Sequence, residues 1–172
     1  MRKWGTASLL GLALAIYLAL TWNTNRSVLH YSPADVVYSD KIHAVHDMIL
    51  SNITPGPGRN TSVPGVSPAI RVSEQFYDFG EVNAQQVLAR AFVIANYGES
   101  PLVILRAYTT CGCTIADFTA EVIPPGKVAL MTLQFDTGYH DMRGTTVRRG
   151  VIIETNDPEH PTQEIWIQAT GR

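Results

Sequence analysis

From residue 69 to the end of the chain, apolar and polar positions alternate in short bursts separated by turn residues. The alternation is clearest in Ala129, Met131, Leu133 and Phe135, and again in Ile165, Ile167 and Ala169. A period of two puts such residues on one face of a strand. Candidate strands cover 70–79, 87–96, 102–110, 128–135, 147–155 and 164–170, with a weaker one at 115–122. Between them lie Asn96-Tyr97-Gly98, Pro124-Pro125-Gly126, Thr137-Gly138 and Asn156-Asp157-Pro158. Glycine and proline set the unusual or fixed φ of a turn, and Asn and Asp bond back to their own backbone. Six or seven short strands at this spacing predict an all-β domain over 69–172. The expected architecture is an Ig-like antiparallel β-sandwich of about seven strands.

The pattern before residue 69 is different. Residues 4–22 are uncharged, run from Trp4 to Trp22 and follow Arg2 and Lys3. As a helix they span roughly 28 Å, close to the hydrocarbon thickness of a bilayer, with a Trp suited to each interface. The basic pair keeps residues 1–3 cytoplasmic by the positive-inside rule. Leu18-Ala19-Leu20-Thr21-Trp22 is a poor cleavage site for a signal peptide, so an uncleaved transmembrane signal anchor is expected over 4–22. Everything after it then lies outside the cytoplasm.

Residues 23–50 read as a juxtamembrane connector containing one amphipathic helix. Ser32-Pro33 is a helix start signal, with Asp35 in the first turn. Tyr38, Ile42, Val45 and Ile49 follow at spacings of four, three and four, forming a narrow apolar stripe that would need a partner. His43 and His46 fall on the other side, three apart. Without a strong third ligand they read as part of a solvated polar face rather than a metal site. Residues 51–68 hold Pro55, Gly56, Pro57, Gly58, Pro64, Gly65 and Pro68 and form a linker.

Composition adds exclusions. A formal charge of −2 gives no nucleic-acid footprint, and Arg143, Arg148 and Arg149 read as a small patch on a solvated strand. There is no G-x-S-x-G, H-E-x-x-H, phosphate-binding glycine loop or C-x-x-C, so the chain is not expected to be an enzyme.

A series of segments, in order, carries a resemblance. They are Tyr77-Asp78-Phe79-Gly80-Glu81-Val82, Phe92-Val93-Ile94-Ala95-Asn96-Tyr97-Gly98, Pro101-Leu102-Val103-Ile104, Cys111-Gly112-Cys113-Thr114, Ile123-Pro124-Pro125-Gly126 and Thr155-Asn156-Asp157-Pro158. From about Val72 to Gly171 the chain resembles the bacterial family known as domain of unknown function 1573. The resemblance implies an exported or membrane-anchored protein with an Ig-like fold related to modules of ciliary and sperm proteins. It implies no activity.

Cys111 and Cys113 are the only cysteines. Residues i and i+2 of a strand share a face, so both sulfurs can converge. Three readings stay open: packing, a Cu(I) site of two thiolates, or a disulfide. A zinc site would need more ligands. A disulfide across a single residue is expected to pull the two Cα atoms out of the usual geometry and to be readily reduced, with Gly112 permitting the distortion. Up-and-down topology places this pair at the end of the domain where the loop over 136–143 also lies, opposite Ile70. His140 in that loop is a candidate third ligand or proton partner, or an exposed loop residue. Tyr139 and Trp166 each read either as cover for the sandwich or as part of an interface.

The resulting expectation is a membrane-anchored extracytoplasmic module that binds a membrane-associated protein partner as an accessory subunit. The rival is a copper- or thiol-handling protein using Cys111 and Cys113.

Overall fold

The computed structural model describes residues 29–44, 46 and 66–172. The fold described below lies within residues 31–172. The expected membrane span over 4–22, most of the linker, and Val45 and Ile49 lie outside the described residues.

The strands are β1 (His43–Ala44), β2 (Ile70–Val72), β3 (Phe76–Val82), β4 (Val87–Asn96), β5 (Leu102–Thr109), β6 (Thr114–Phe118), β7 (Val122–Ile123), β8 (Val128–Asp136), β9 (Thr146–Thr155) and β10 (Thr162–Gly171). They form two five-stranded sheets, ordered β1-β6-β8-β4-β2 and β3-β10-β9-β5-β7. The fold is therefore an all-β, two-sheet sandwich. Its core is the alternation read from the sequence. Phe92, Ile94, Met131, Leu133, Ala116 and Phe118 of the first sheet are buried, as are Ile104, Val151, Ile153, Ile165 and Ile167 of the second. Close packing of these alternating side chains supplies the main stabilisation.

The sandwich departs from the expected one in three ways. First, it has ten strands among the described residues rather than about seven. Second, the expected strand over 70–79 is two strands in different sheets. Ser73 ends β2, its N–H donating to the Val93 carbonyl while its Oγ accepts from the Val93 N–H. Glu74 and Gln75 then cross to the second sheet, where the Gln75 carbonyl takes the Trp166 N–H. Such switching closes one side of a sandwich. Third, because of that crossing β3 runs parallel to β10, so the sandwich is not purely antiparallel.

The amphipathic helix expected after Ser32 is corrected to a single 3-10 turn, Pro33–Asp35. The start signal is real. Ser32 Oγ accepts from the Ala34 N–H, and Asp35 Oδ2 accepts from the Ser32 N–H. Beyond that turn the backbone finds better partners in the sheet. Val37 donates to the Val128 carbonyl and Ser39 to the Thr119 carbonyl, while Phe118 donates to Ile42. Tyr38 is exposed, Ile42 is half-buried against the core, and Ala44 is 1% exposed. Residues 36–44 thus lie along the sandwich as an edge segment ending in β1, which pairs antiparallel with β6. His43 and His46 are not helix neighbours: His43 Nδ1 meets the Asp117 carboxylate, and His46 Nδ1–H donates to the Thr109 carbonyl at 3.1 Å.

The end of the sandwich around Ile70 is closed by residues of the turn signals. Asn96 is 1% exposed, and its Nδ2 donates to the Ser100 and Ile123 carbonyls while its Oδ1 accepts from Ala69 and Gly98. Gly98 leaves no alternative residue, since a Cβ there would lie 2.4 Å from the Ser67 carbonyl oxygen. The Asp157 carboxylate accepts N–H bonds from Ile70, Glu159 and His160.

Candidate functional site

The opposite end holds Cys111-Gly112-Cys113, where the chain crosses from β5 in one sheet to β6 in the other. The two cysteines form a disulfide with Cα atoms 5.3 Å apart. That separation falls within the ordinary span for disulfides, which corrects the expected distortion. Cys113 is 4% exposed, Cys111 is half-buried and Gly112 is exposed. Thr114, itself buried, places its Oγ1 3.1 Å from Cys111 Sγ and 3.8 Å from Cys113 Sγ.

The turn is also held by bonds that do not involve sulfur. Thr114 N–H and Thr109 Oγ1 both donate to the Cys111 carbonyl, and Asp136 N–H donates to the Cys113 carbonyl at 2.9 Å. Thr110 exchanges two bonds with Gly150, donating its N–H to the carbonyl and accepting the Gly150 N–H on its Oγ1.

The loop over 136–143 closes over this turn. The Tyr139 hydroxyl lies 3.0 Å from where a Cβ on Gly112 would sit, and its ring meets His140 edge-on with centroids 4.7 Å apart. His140, Asp136, Met142 and Arg149 share with Cys113 the wall of a small cavity of about 10 Å³, about the space of one water. Asp136 Oδ1 is engaged by the Gly138 N–H, and the exposed Asp141 is clamped by Arg143 at 2.8 Å. Hydrogen bonds from Arg143 hold the Asp141 carboxyl well below its usual range, at about 2.

Cys111, Cys113, Tyr139 and His140 therefore come together at one end, as the strand order implied. No three His, Cys, Asp or Glu side chains are grouped to hold a metal among the described residues. With the sulfurs bonded to each other, a Cu(I) site would exist only after reduction.

Arg149 is a residue the sequence reading missed. The patch of Arg143, Arg148 and Arg149 reads as solvated from the sequence, but a strand alternates, and Arg149 falls on the same face as Val151 and Ile153, which are buried. Its Nη1 donates to the Arg148 carbonyl, and its Nε is buried without a hydrogen-bond partner among the described residues.

Trp166 lies elsewhere, on the outer face of the second sheet. It stands opposite Gly150 on one side and Phe76 on the other. A Cβ on Gly150 would come within 2.8 Å of the indole ring, so the glycine lets the ring pack against the sheet. The Arg148 guanidinium lies over both rings, 5.0 Å from the Phe76 centroid and 5.3 Å from that of Trp166. Trp166 Nε1 donates to Glu164 and Gln168 donates to Asp78, so a polar frame fixes the platform.

Residues 70–170 match the family described as "Protein of unknown function (DUF1573)", and the chain belongs to that family. A protein of unknown function from Porphyromonas gingivalis W83 shares the fold, with a TM-score of 0.58 at 20% identity over 66% of this chain and 51% of that one. The present chain thus spans about half the length of that relative. Weaker likenesses are the PapD-like domain 7 of human CEP192 (TM-score 0.43, 10% identity, 73% of this chain and 97% of that one) and the YadV chaperone (TM-score 0.43, 14% identity, 59% and 51%). Comparison with curated proteins by sequence finds no match.

Proposed function

We propose that this chain is a membrane-anchored, extracytoplasmic Ig-like module that binds a protein partner in the same membrane as an accessory subunit. The observation that carries the binding role is the platform of Phe76, Arg148 and Trp166 on the outer face of the second sheet. Aromatic and arginine side chains dominate the energetic centres of protein interfaces, especially where they are rigid and ringed by polar groups. Here the indole is seated on a glycine and held by Glu164, so little side-chain entropy remains to be lost on docking. The uncharged run over 4–22 supports the anchor, and Arg2 and Lys3 support the orientation.

The test is co-purification of the full-length protein from detergent-solubilised membranes, beside a Trp166→Ala, Arg148→Ala double variant. Wild type should retain a stoichiometric partner that the folded double variant loses. Equal retention by both would remove the platform from the interface. Protease added to spheroplasts should cut the chain between the anchor and the domain and release the domain if it lies outside the cytoplasm, and survival of the full-length chain there would overturn the orientation.

A further inference from the structure

We infer that Cys111–Cys113 is a thiol–disulfide exchange site for a dithiol on another protein, with Cys111 the sulfur attacked and Cys113 the leaving group. This stands apart from the aromatic platform and does not depend on it.

The disulfide makes a poor staple. Cross-link stabilisation grows with the length of loop closed, and this one joins residues only two apart in sequence. The turn it sits in is already held by five hydrogen bonds that do not involve sulfur: two to the Cys111 carbonyl, one to the Cys113 carbonyl and two between Thr110 and Gly150. Reduction therefore removes little that the fold needs.

The surroundings are arranged unequally about the two sulfurs. Cys111 is half-buried beside Gly112, which is exposed and carries no side chain, so the Tyr139 hydroxyl, 3.0 Å from where a Cβ would sit, is the group an incoming chain must displace there. Cys113 is 4% exposed and faces the cavity walled by His140 and Arg149. A leaving thiolate departs faster when its charge is stabilised. Arg149, which also lines that cavity, carries a fixed positive charge, and its Nε–H is buried without a partner among the described residues. Asp136 opposes it with a carboxylate, but one already engaged by the Gly138 N–H. Thr114 Oγ1 lies within reach of both sulfurs and can donate to whichever carries the charge.

The step balances as two exchanges. A thiolate of the partner dithiol attacks Cys111 Sγ, forming a mixed disulfide and breaking the Cys111–Cys113 bond, with Cys113 leaving as a thiolate. The partner's second thiol, deprotonated, then attacks its own sulfur in the mixed disulfide and Cys111 leaves. The partner is oxidised to a disulfide, the Cys-Gly-Cys turn is reduced to a dithiol, and two electrons and two protons are transferred.

The test uses the full-length protein in detergent, equilibrated in mixtures of reduced and oxidised dithiothreitol. Thiols are counted by alkylation and the fold is followed by circular dichroism. A native spectrum in both redox states, with reversible conversion, is expected. A disulfide that stays oxidised until the fold melts is a structural link, and that result overturns the inference. Acid-quenched reaction of the oxidised wild-type protein with reduced glutathione, mapped by mass spectrometry, then tests the order of attack. Glutathione should be found on Cys111 at least about tenfold more often than on Cys113. Equal occupancy would overturn the assignment. Arg149→Gln should slow reduction of the wild-type pair about threefold or more and raise the Cys113 pKa in the reduced protein, with Arg149→Lys restoring part of both. No change in either would remove Arg149 from the leaving-group role.

Discussion

The carboxylate of Asp157 accepts the backbone N–H of Ile70 across 2.8 Å, joining two residues 87 positions apart. The same carboxylate takes the N–H groups of Glu159 and His160, while its side chain is almost wholly removed from solvent. Desolvation alone would raise its pKa, but the three N–H bonds, with the His160 ring 3.5 Å away, outweigh that and leave it below the ordinary value of 3.8. It is thus a buried charge held by backbone, fastening the first strand after the linker to the loop after β9.

Asp157→Ala should destabilise the domain by about 2–3 kcal/mol, because buried N–H groups lose a charged acceptor. Urea unfolding measures this. A carboxylate whose folded pKa is depressed stabilises above its unfolded pKa and ceases to do so as pH falls through the folded one. Wild type should therefore lose stability as pH drops below about 4, and the slope should flatten in Asp157→Ala.

Gly98→Ala should be as damaging for a different reason. The added Cβ would meet backbone atoms of Ser67, Pro68 and Ala69 at 2.4–2.5 Å, and backbone cannot rotate away. A loss of about 1–3 kcal/mol is expected, as for other overpacked sites. Faster hydrogen exchange at Ile70 should accompany it.

Ala44→Glu should release the edge segment without unfolding the sandwich. Ala44 is 1% exposed, and a carboxylate there must leave the core or be buried unpaired. Limited proteolysis should cut within 31–46 more readily than in wild type, while 66–172 resists. Equal resistance of both would show that the segment is not held through Ala44.

Gly150→Ala should disturb the platform together with the strand pairing beneath it. The new methyl meets both the Ile165 carbonyl oxygen and the Trp166 ring at 2.8 Å, so the indole must lift off the sheet and β9 must shift against β10. With Trp4 and Trp22 replaced by Phe, emission from Trp166 should shift to longer wavelength and be quenched more by iodide. Partner retention should fall as it does for Trp166→Ala.

Much of the fold was legible because period-two alternation reports burial directly. The strand expected at 87–96 has those bounds, and its inward residues Phe92 and Ile94 are in the core. What escaped depended on partners distant in sequence. Nothing local says that Val72 and Phe76 belong to different sheets, since the crossing is fixed by Val93 and Trp166. The Ser32 cap was read correctly and its consequence was not, because the edges of β6 and β8 outcompeted a helix for the same backbone groups. At the site, strand order was enough to bring Cys113 and His140 together. Arg149 was equally legible by alternation, but a cluster of basic residues drew attention to charge and away from facing.

The edge segment over 36–44 also sets how the domain answers mechanical force. Its bonds to Thr119, Ile42's partner Phe118 and the β1–β6 pair are strung along one line beside the sheet. Tension applied at residue 31 along that line shears these bonds together, whereas tension across it would peel them one at a time. Shear geometry resists until several bonds fail at once, so the segment can serve as a strain fuse: rigid under modest axial pull, then yielding abruptly while the two sheets behind it stay closed.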